Sequence, residues 1–447
     1  MGFFKKFFNF PQKTVECNVS IDLTTSSYFP RRLFHSSRKA PRAQNIPIEI
    51  VLNILEAAYY DDDLNPNTDL LKNCALVCHA WSIHAQKLLF RQVSLRTQPA
   101  FTEFTRAIDS TSPRGQLLAN SVLRMRLVLD HNQPNGLSQS SLAHAVTHCP
   151  NLYELTLSLY GCADPGQDIV GSPAAERMRR PAPSFDASTL ELLRTGPRIS
   201  ALHFTNWSEN EQTLAQLLEV WSSLRSLTIT GKAPARPSAD APPVACAFEE
   251  LRINCQKEPS LDTLTWLLQR SADVGTLRSL EFEREPSAAV LSHLVDNHAE
   301  TLQALALPTC TTAEQAEAIA RCEELKELRT EGAAVPAAVY RQLPEGIQHL
   351  SFGLDADTAL QPVIDAVKLC EELTTVTVHV WSSGEKHSLL NPLKMACAFA
   401  GVDLRLIRDV RTLRTIVRGD PIVPESFPRA KTLENLQLMR CPPPCHA

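Results

Sequence analysis

Residues Leu224–Ile229 read LRSLTI, and the pattern returns as LRSLEF at Leu277–Phe282, LQALAL at Leu302–Leu307, LKELRT at Leu325–Thr330, IQHLSF at Ile347–Phe352 and LTTVTV at Leu373–Val378. NLYELTL at Asn151–Leu157, ISALHF at Ile199–Phe204 and FEELRI at Phe248–Ile253 are looser copies. Each phrase sets an aliphatic residue, two variable ones, an aliphatic, one variable and usually an apolar residue. The alternation around its centre is the period of a strand with one buried face. The centres are Leu202, Leu227, Leu251, Leu280, Leu305, Leu328, Leu350 and Val376, and they recur about every 25 residues, which is the signature of an internal repeat. LRMRLVL around Leu127 reads as an earlier copy, and VDLRLI around Leu404 as a later one.

Between the phrases lie TLAQLLEVWSS, LDTLTWLLQRS, AAVLSHLVDNHAE and LQPVIDAVKLCEE, whose apolar residues recur at helical spacing. One strand and one helix per repeat at this period is the pattern of leucine-rich repeats. A single unit cannot bury its apolar face, whereas stacked units share a continuous core. The expected fold is therefore α/β: a curved solenoid over residues 96–425, with a parallel sheet on its concave side and the strand leucines in its core. Two stretches break the period, 161–188 and 231–247, and their Pro-rich composition predicts exposed loops. The first explains the gap between Leu155 and Leu202, and its Arg177, Arg179 and Arg180 read as solvated. Residues 426–447 read as a tail.

The rest of the composition narrows the function. At 447 residues, 44% hydrophobic and 21% charged, the chain has ample material for a core. Its 44 Lys and Arg against 49 Asp and Glu leave a formal charge of −5, which argues against a nucleic-acid or anionic-membrane binder. With 15 Gly against 31 Pro, glycine-dependent phosphate loops are disfavoured. Thirteen scattered cysteines, an odd number, fit a reducing compartment better than a disulfide framework. No run is apolar for the roughly 20 residues of a membrane-spanning helix. Residues 1–45 hold Lys5, Lys6, Lys13, Arg31, Arg32, Arg38, Lys39 and Arg42 against only Glu16 and Asp22. Such a leader reads as a disordered basic tail or as a mitochondrial transit peptide.

From Ile46 the text becomes IPIEIVLNILEAAYY, then DDDLNPNT, then DLLKNCALVCHAWSIHAQKLLF. Pro47 suits a first helical turn, Ile46, Ile50, Ile54 and Leu55 share a helix face, and Leu70 to Leu89 resume the period. Two or three helices in residues 46–95 carry more apolar surface than they can bury among themselves, so a partner or the following domain must cover it.

These residues resemble the F-box family: the Ile46-Pro47 start, Glu49-Ile50, Ile54-Leu55, the Leu76-Val77-Cys78 run, Trp81 and the closing Leu89-Phe90. Ile46 stands where Leu is usual, and the Asp61–Asp69 link is long for the family. The resemblance implies that Ile46, Pro47, Ile50, Ile54, Leu55, Leu76, Val77 and Cys78 dock on the Skp adaptor of a cullin-RING ubiquitin ligase, while Trp81 and Phe90 hold the small helical core. It also implies a non-catalytic substrate receptor in cytoplasm or nucleus, whose repeats bind a protein target. Segments CPNL, RCEEL and KLCEEL resemble the helix-to-strand junction of F-box leucine-rich proteins. Their Cys149, Cys322 and Cys370 are expected as small buried hydrophobes. The candidate target contacts are the variable strand positions Thr228, Arg252, Glu281, Glu327, Arg329, Ser351 and Thr377, which should face out of the sheet opposite the leucines. The alternative is a leucine-rich scaffold outside any ligase, with mitochondria as the alternative compartment and the helices as a cap.

No catalytic motif competes with these readings: GxSxG, Walker, HExxH and GxGxxG patterns are all missing from the sequence. Cys74, Cys78, His79 and His84 crowd together and Cys441 and Cys445 form CPPPC, but neither group gives the paired spacing of structural zinc. No metal or cofactor is expected.

Overall fold

A computed structural model of the chain describes residues 47–60, 66–161, 182–333, 335–409 and Leu413, with the side chain of Ile48 left aside. The basic leader, Ile46, most of the first insertion with its three arginines, and the CPPPC end lie outside the described residues. The chain divides into two compact units, one built on residues up to 161 together with 186–197, the other on residues from 198 onward together with 182–185.

The first unit opens with helices α1 (Ile48–Ala57), α2 (Thr68–Ala75) and α3 (His79–Phe90), then alternates strands with further helices. Its strands β1 (Gln92–Leu95), β2 (Arg124–Asp130) and β3 (Glu154–Tyr160) are parallel, with Leu127 beside Leu95 and Leu157. The early phrase around Leu127 is therefore a strand. Strand β1 lies inside the segment 46–95 expected to be wholly helical: QVSL is too short for its alternation to stand out, and pairing with β2 decides its conformation.

The second unit holds nine parallel strands, β4 (Ala201–Trp207), β5 (Ser226–Gly231), β6 (Glu250–Cys255), β7 (Ser279–Phe282), β8 (Ala304–Leu307), β9 (Glu327–Thr330), β10 (His349–Leu354), β11 (Thr375–Val380) and β12 (Asp403–Ile407), in sequential order. The repeat reading sets their register: Leu202 lies beside Leu227, then Leu251, Leu280, Leu305, Leu328, Leu350, Val376 and Leu404. From Leu202 to Val376 this row is at most 1% exposed. A continuous apolar row beneath a parallel sheet, with helices on the return path, is the leucine-rich-repeat arrangement.

The helices start where the sequence supplies caps. Ser260 accepts from the Thr263 amide at 3.2 Å ahead of Leu261–Val274, Ser287 from Val290 at 3.3 Å ahead of Ala288–His298, and Thr312 forms a capping box with Gln315 ahead of Ala313–Ala320. Gly275, at φ 67°, ends the first of these in the left-handed conformation that a side chain resists.

The insertion 231–247 departs from the expected exposed loop. Residues 236–240 and 242–243 are exposed, but Val244 and Cys246 are buried, Val244 N–H donates to the Trp266 carbonyl at 3.2 Å, and the Trp266 indole donates to Pro242 O at 2.8 Å. The segment takes the place of a helix between β5 and β6. At the end of the first insertion, Ala182 and Phe185 are likewise buried. Among the described residues, no helix is long and apolar enough to cross a membrane, and the described cysteines are free thiols. Cys149 and Cys322 are fully buried, and desolvation pushes their thiols up to about 12 and about 11; Cys370 is only half-buried.

Candidate functional site

The amino-terminal helices build a closed core from little chain. Val51, Leu55, Tyr59, Leu71, Cys74, Ala85 and Leu88 are buried together, with Trp81 and Leu89 packed against them, and Phe90 is also buried. Helix α1 starts behind Pro47, whose carbonyl accepts from Val51 N–H at 3.3 Å. Helix α2 is capped by Asn67, which accepts from Leu70 N–H at 3.1 Å. At its far end Leu76 N–H donates to Asn73 O and Val77 N–H to Cys74 O, forming a tight turn that leads through Cys78 into α3.

That turn puts large apolar side chains into solvent. Leu76 is 85% exposed and Val77 62%, while on α1 Ile50 and Ile54, one turn apart, are 49% and 45% exposed. Pro47 and Cys78 are also exposed. Of the residues assigned to the docking face, Leu55 is a correction: at 1% exposure it belongs to the core, because it follows Val51 by four residues and so faces inward with it. Ile46 lies outside the described residues. The buried cluster of the three helices includes none of Ile50, Ile54, Leu76 and Val77.

The helices are also tied to their unit's sheet. Arg124 on β2 donates from Nη2 to Tyr60 Oη at 3.0 Å, and the Arg91 guanidinium lies over the Tyr59 ring, 5.5 Å from its centroid. Burial raises the Tyr59 phenol pKa, with Tyr60 adding to the effect.

The second candidate surface is the polar face of the nine strands. Here the residues expected to meet a target are mostly engaged with one another. Arg252 Nε lies 3.2 Å from Glu281 Oε1 and its Nη2 lies 2.7 Å from Glu283, and Arg329 is ion-paired to Glu327 within its own strand. Glu281, Arg329, Ser351 and Thr377 are between 0% and 4% exposed, which corrects the expectation of a solvent-facing row. The cause is register: Ser351 and Thr377 are short side chains held side by side between Arg329 and Arg405, whose longer side chains flank them. Thr228, Arg252 and Glu327 remain half-exposed.

The same face carries residues the sequence reading passed over. His349 hydrogen-bonds Thr377 Oγ1 through Nε2 at 3.1 Å. Burial, reinforced by the charges of Arg329 and Arg405, pushes its imidazole down to about 3, so it is neutral at physiological pH. Arg405 is paired to Asp403 at 2.7 Å, and His379 packs its ring 5.3 Å from that of Trp381. His349 stands next to the central Leu350, and Asp403 and Arg405 flank the central Leu404, the one signal that could have found them. Among the described residues, no group of three or more His, Cys, Asp or Glu is arranged to hold a metal ion.

No family model matches the chain and no curated protein matches it. Among solved structures it is similar to a chain of the TLR13-ssRNA13 complex, with 12% identity and a TM-score of 0.32 over 59% of this chain. The match covers 36% of that chain, about a third of its length.

Proposed function

We propose that this protein is a non-catalytic receptor subunit of a cullin-RING ubiquitin ligase, gripping the Skp adaptor through its amino-terminal helices and a protein target through its leucine-rich repeats. The observation that carries the reading is the exposure of Leu76, Val77, Ile50 and Ile54 around a buried cluster that includes none of them. Solvated Leu and Ile of this size are a liability unless something covers them, and each is worth about 1.5–3 kcal/mol once fully buried. The order of residues resembling an F-box names the adaptor as that cover. Ubiquitin transfer would then follow from tethering, which raises the effective concentration of the target's lysines at a charged enzyme without any reacting group from this chain. Co-purification of the full chain with the Skp adaptor tests the reading.

A scaffold acting outside a ligase is the second reading; the Arg124–Tyr60 bond, which anchors the helices to the sheet of their unit, is the contact that a cap requires. A chain that binds its target but never the adaptor supports the scaffold.

A further inference from the structure

Three consecutive repeats of the second unit end their helices at one place. The helices Leu261–Val274, Ala288–His298 and Ala313–Ala320 bring their carboxy-terminal ends to a groove of about 700 Å³. A helix carries partial negative charge at that end, so three such ends favour a cation. The side chains add to the effect: Asp296, Glu300, Glu323 and Glu324 line the groove against one permanent cation, Arg321. Arg321 is already engaged, ion-paired to Asp296 and donating from Nη2 to Ser292 Oγ at 2.8 Å. Glu300, Glu323 and Glu324 are exposed and have no ion-pair partner among the described residues.

Acidic side chains on a surface are commonly only solvated, and His298 sets this groove apart. It lines the same groove, is 4% exposed, and its Nδ1 has no hydrogen-bond partner among the described residues. Burial, reinforced by His293, holds the imidazole down to about 4, so it is neutral at physiological pH and keeps a ring nitrogen able to accept. A buried polar atom without a partner is costly unless a bound group supplies one. Among the described residues no three ligating side chains are arranged for a metal ion, and the volume is that of a site for an organic group. We propose that this groove binds an arginine side chain presented by a basic segment of a partner protein, its guanidinium held by Glu300, Glu323 and Glu324 with His298 accepting a further hydrogen bond. A guanidinium suits the site because its planar fork serves several acceptors at once and pairs with carboxylates bidentately, which an ammonium does not. The groove is lined by helix ends and the turns after them, apart from the strand face assigned to a target. The inference is independent of any role in a ligase.

Fluorescence anisotropy of the full chain with a labelled triarginine peptide, at physiological salt, tests it. The native chain is expected to bind, and Glu323→Gln with Glu324→Gln, both exposed, should weaken binding at least roughly fivefold. Glu371→Gln with Glu372→Gln is the control, because the same pair follows Cys370 two repeats later, as Glu323 and Glu324 follow Cys322, and lies outside this groove. The control should change binding less than about twofold, and a trilysine peptide should bind the native chain at least roughly fivefold more weakly than triarginine. Saturating triarginine should also move the ring-nitrogen resonances of His298, identified by their loss in His298→Gln. No binding of triarginine, equal losses from the two glutamate pairs, equal affinity for trilysine, or a His298 resonance that stays in place at saturation would each overturn the proposal.

Discussion

Thr377 and His349 share a hydrogen bond of 3.1 Å although they sit on adjacent strands two register positions apart, and neither is more than 7% exposed. The contact joins β10 to β11 across the polar face of the sheet, where periodicity alone leads one to expect hydration. It also fixes a neutral imidazole beside two guanidinium groups.

Acid should therefore weaken the second unit. His349 is held down to about 3 and His298, chiefly by burial, down to about 4, against about 6.5 for a histidine in an unfolded chain. Their stabilising contribution is complete above pH 6.5. It is lost as the pH falls toward 3 to 4, because over that window the unfolded chain binds the protons. Each histidine should cost on the order of 1–2 kcal/mol by pH 5. Urea unfolding at pH 7 and pH 5 checks this, and His349→Gln should remove about half of the difference, leaving the share of His298.

The row of strand leucines should behave as one core. Leu305 is fully buried between Leu280 and Leu328, so Leu305→Ala should cost about 2–5 kcal/mol. Half-exposed Thr228 should tolerate Ala within about 0.5 kcal/mol. Paired denaturation curves distinguish the two.

The link between the amino-terminal helices and β2 should be measurable on its own. Tyr60→Phe removes one acceptor for Arg124, a residue only 8% exposed, and should destabilise the first unit by about 1–2 kcal/mol. Proteolysis of α1 and α2 should accelerate while the midpoint of the second unit holds.

Helix entry at the capping box offers a smaller effect. Thr312→Ala removes the acceptor for Gln315 N–H and should cost about 1 kcal/mol. Thr312→Asn should recover most of it, and calorimetry resolves both.

What the sequence revealed follows from what repetition encodes. The phrases around Leu202 to Val376 predict each strand and its neighbour, because one apolar row must run through every repeat. The copies at Leu127 and Leu404 extend the row to β2 and β12. Strand β1 escaped because its four residues take their conformation from β2. The packing of Val244 and Cys246 was hidden by a Pro-rich composition that ordinarily marks a loop. Ile54 and Leu55 read as one doublet on the docking face, whereas a rotation of one residue on a helix turns Leu55 from solvent into the core. The burial of Arg329, Ser351 and Thr377 depends on which residues face them across strands, which no single phrase contains.

The most direct test of the central claim is the affinity of the full chain for the purified Skp adaptor, compared with a Pro47→Ala, Leu76→Ala, Val77→Ala variant. All three positions are exposed, so the variant should keep its circular dichroism and unfolding midpoint. The ligase-receptor account predicts binding by the native chain and a loss of at least about 2 kcal/mol, roughly thirtyfold in Kd, for the variant. A native chain that does not bind the adaptor, or a variant that binds it equally well, would contradict the account.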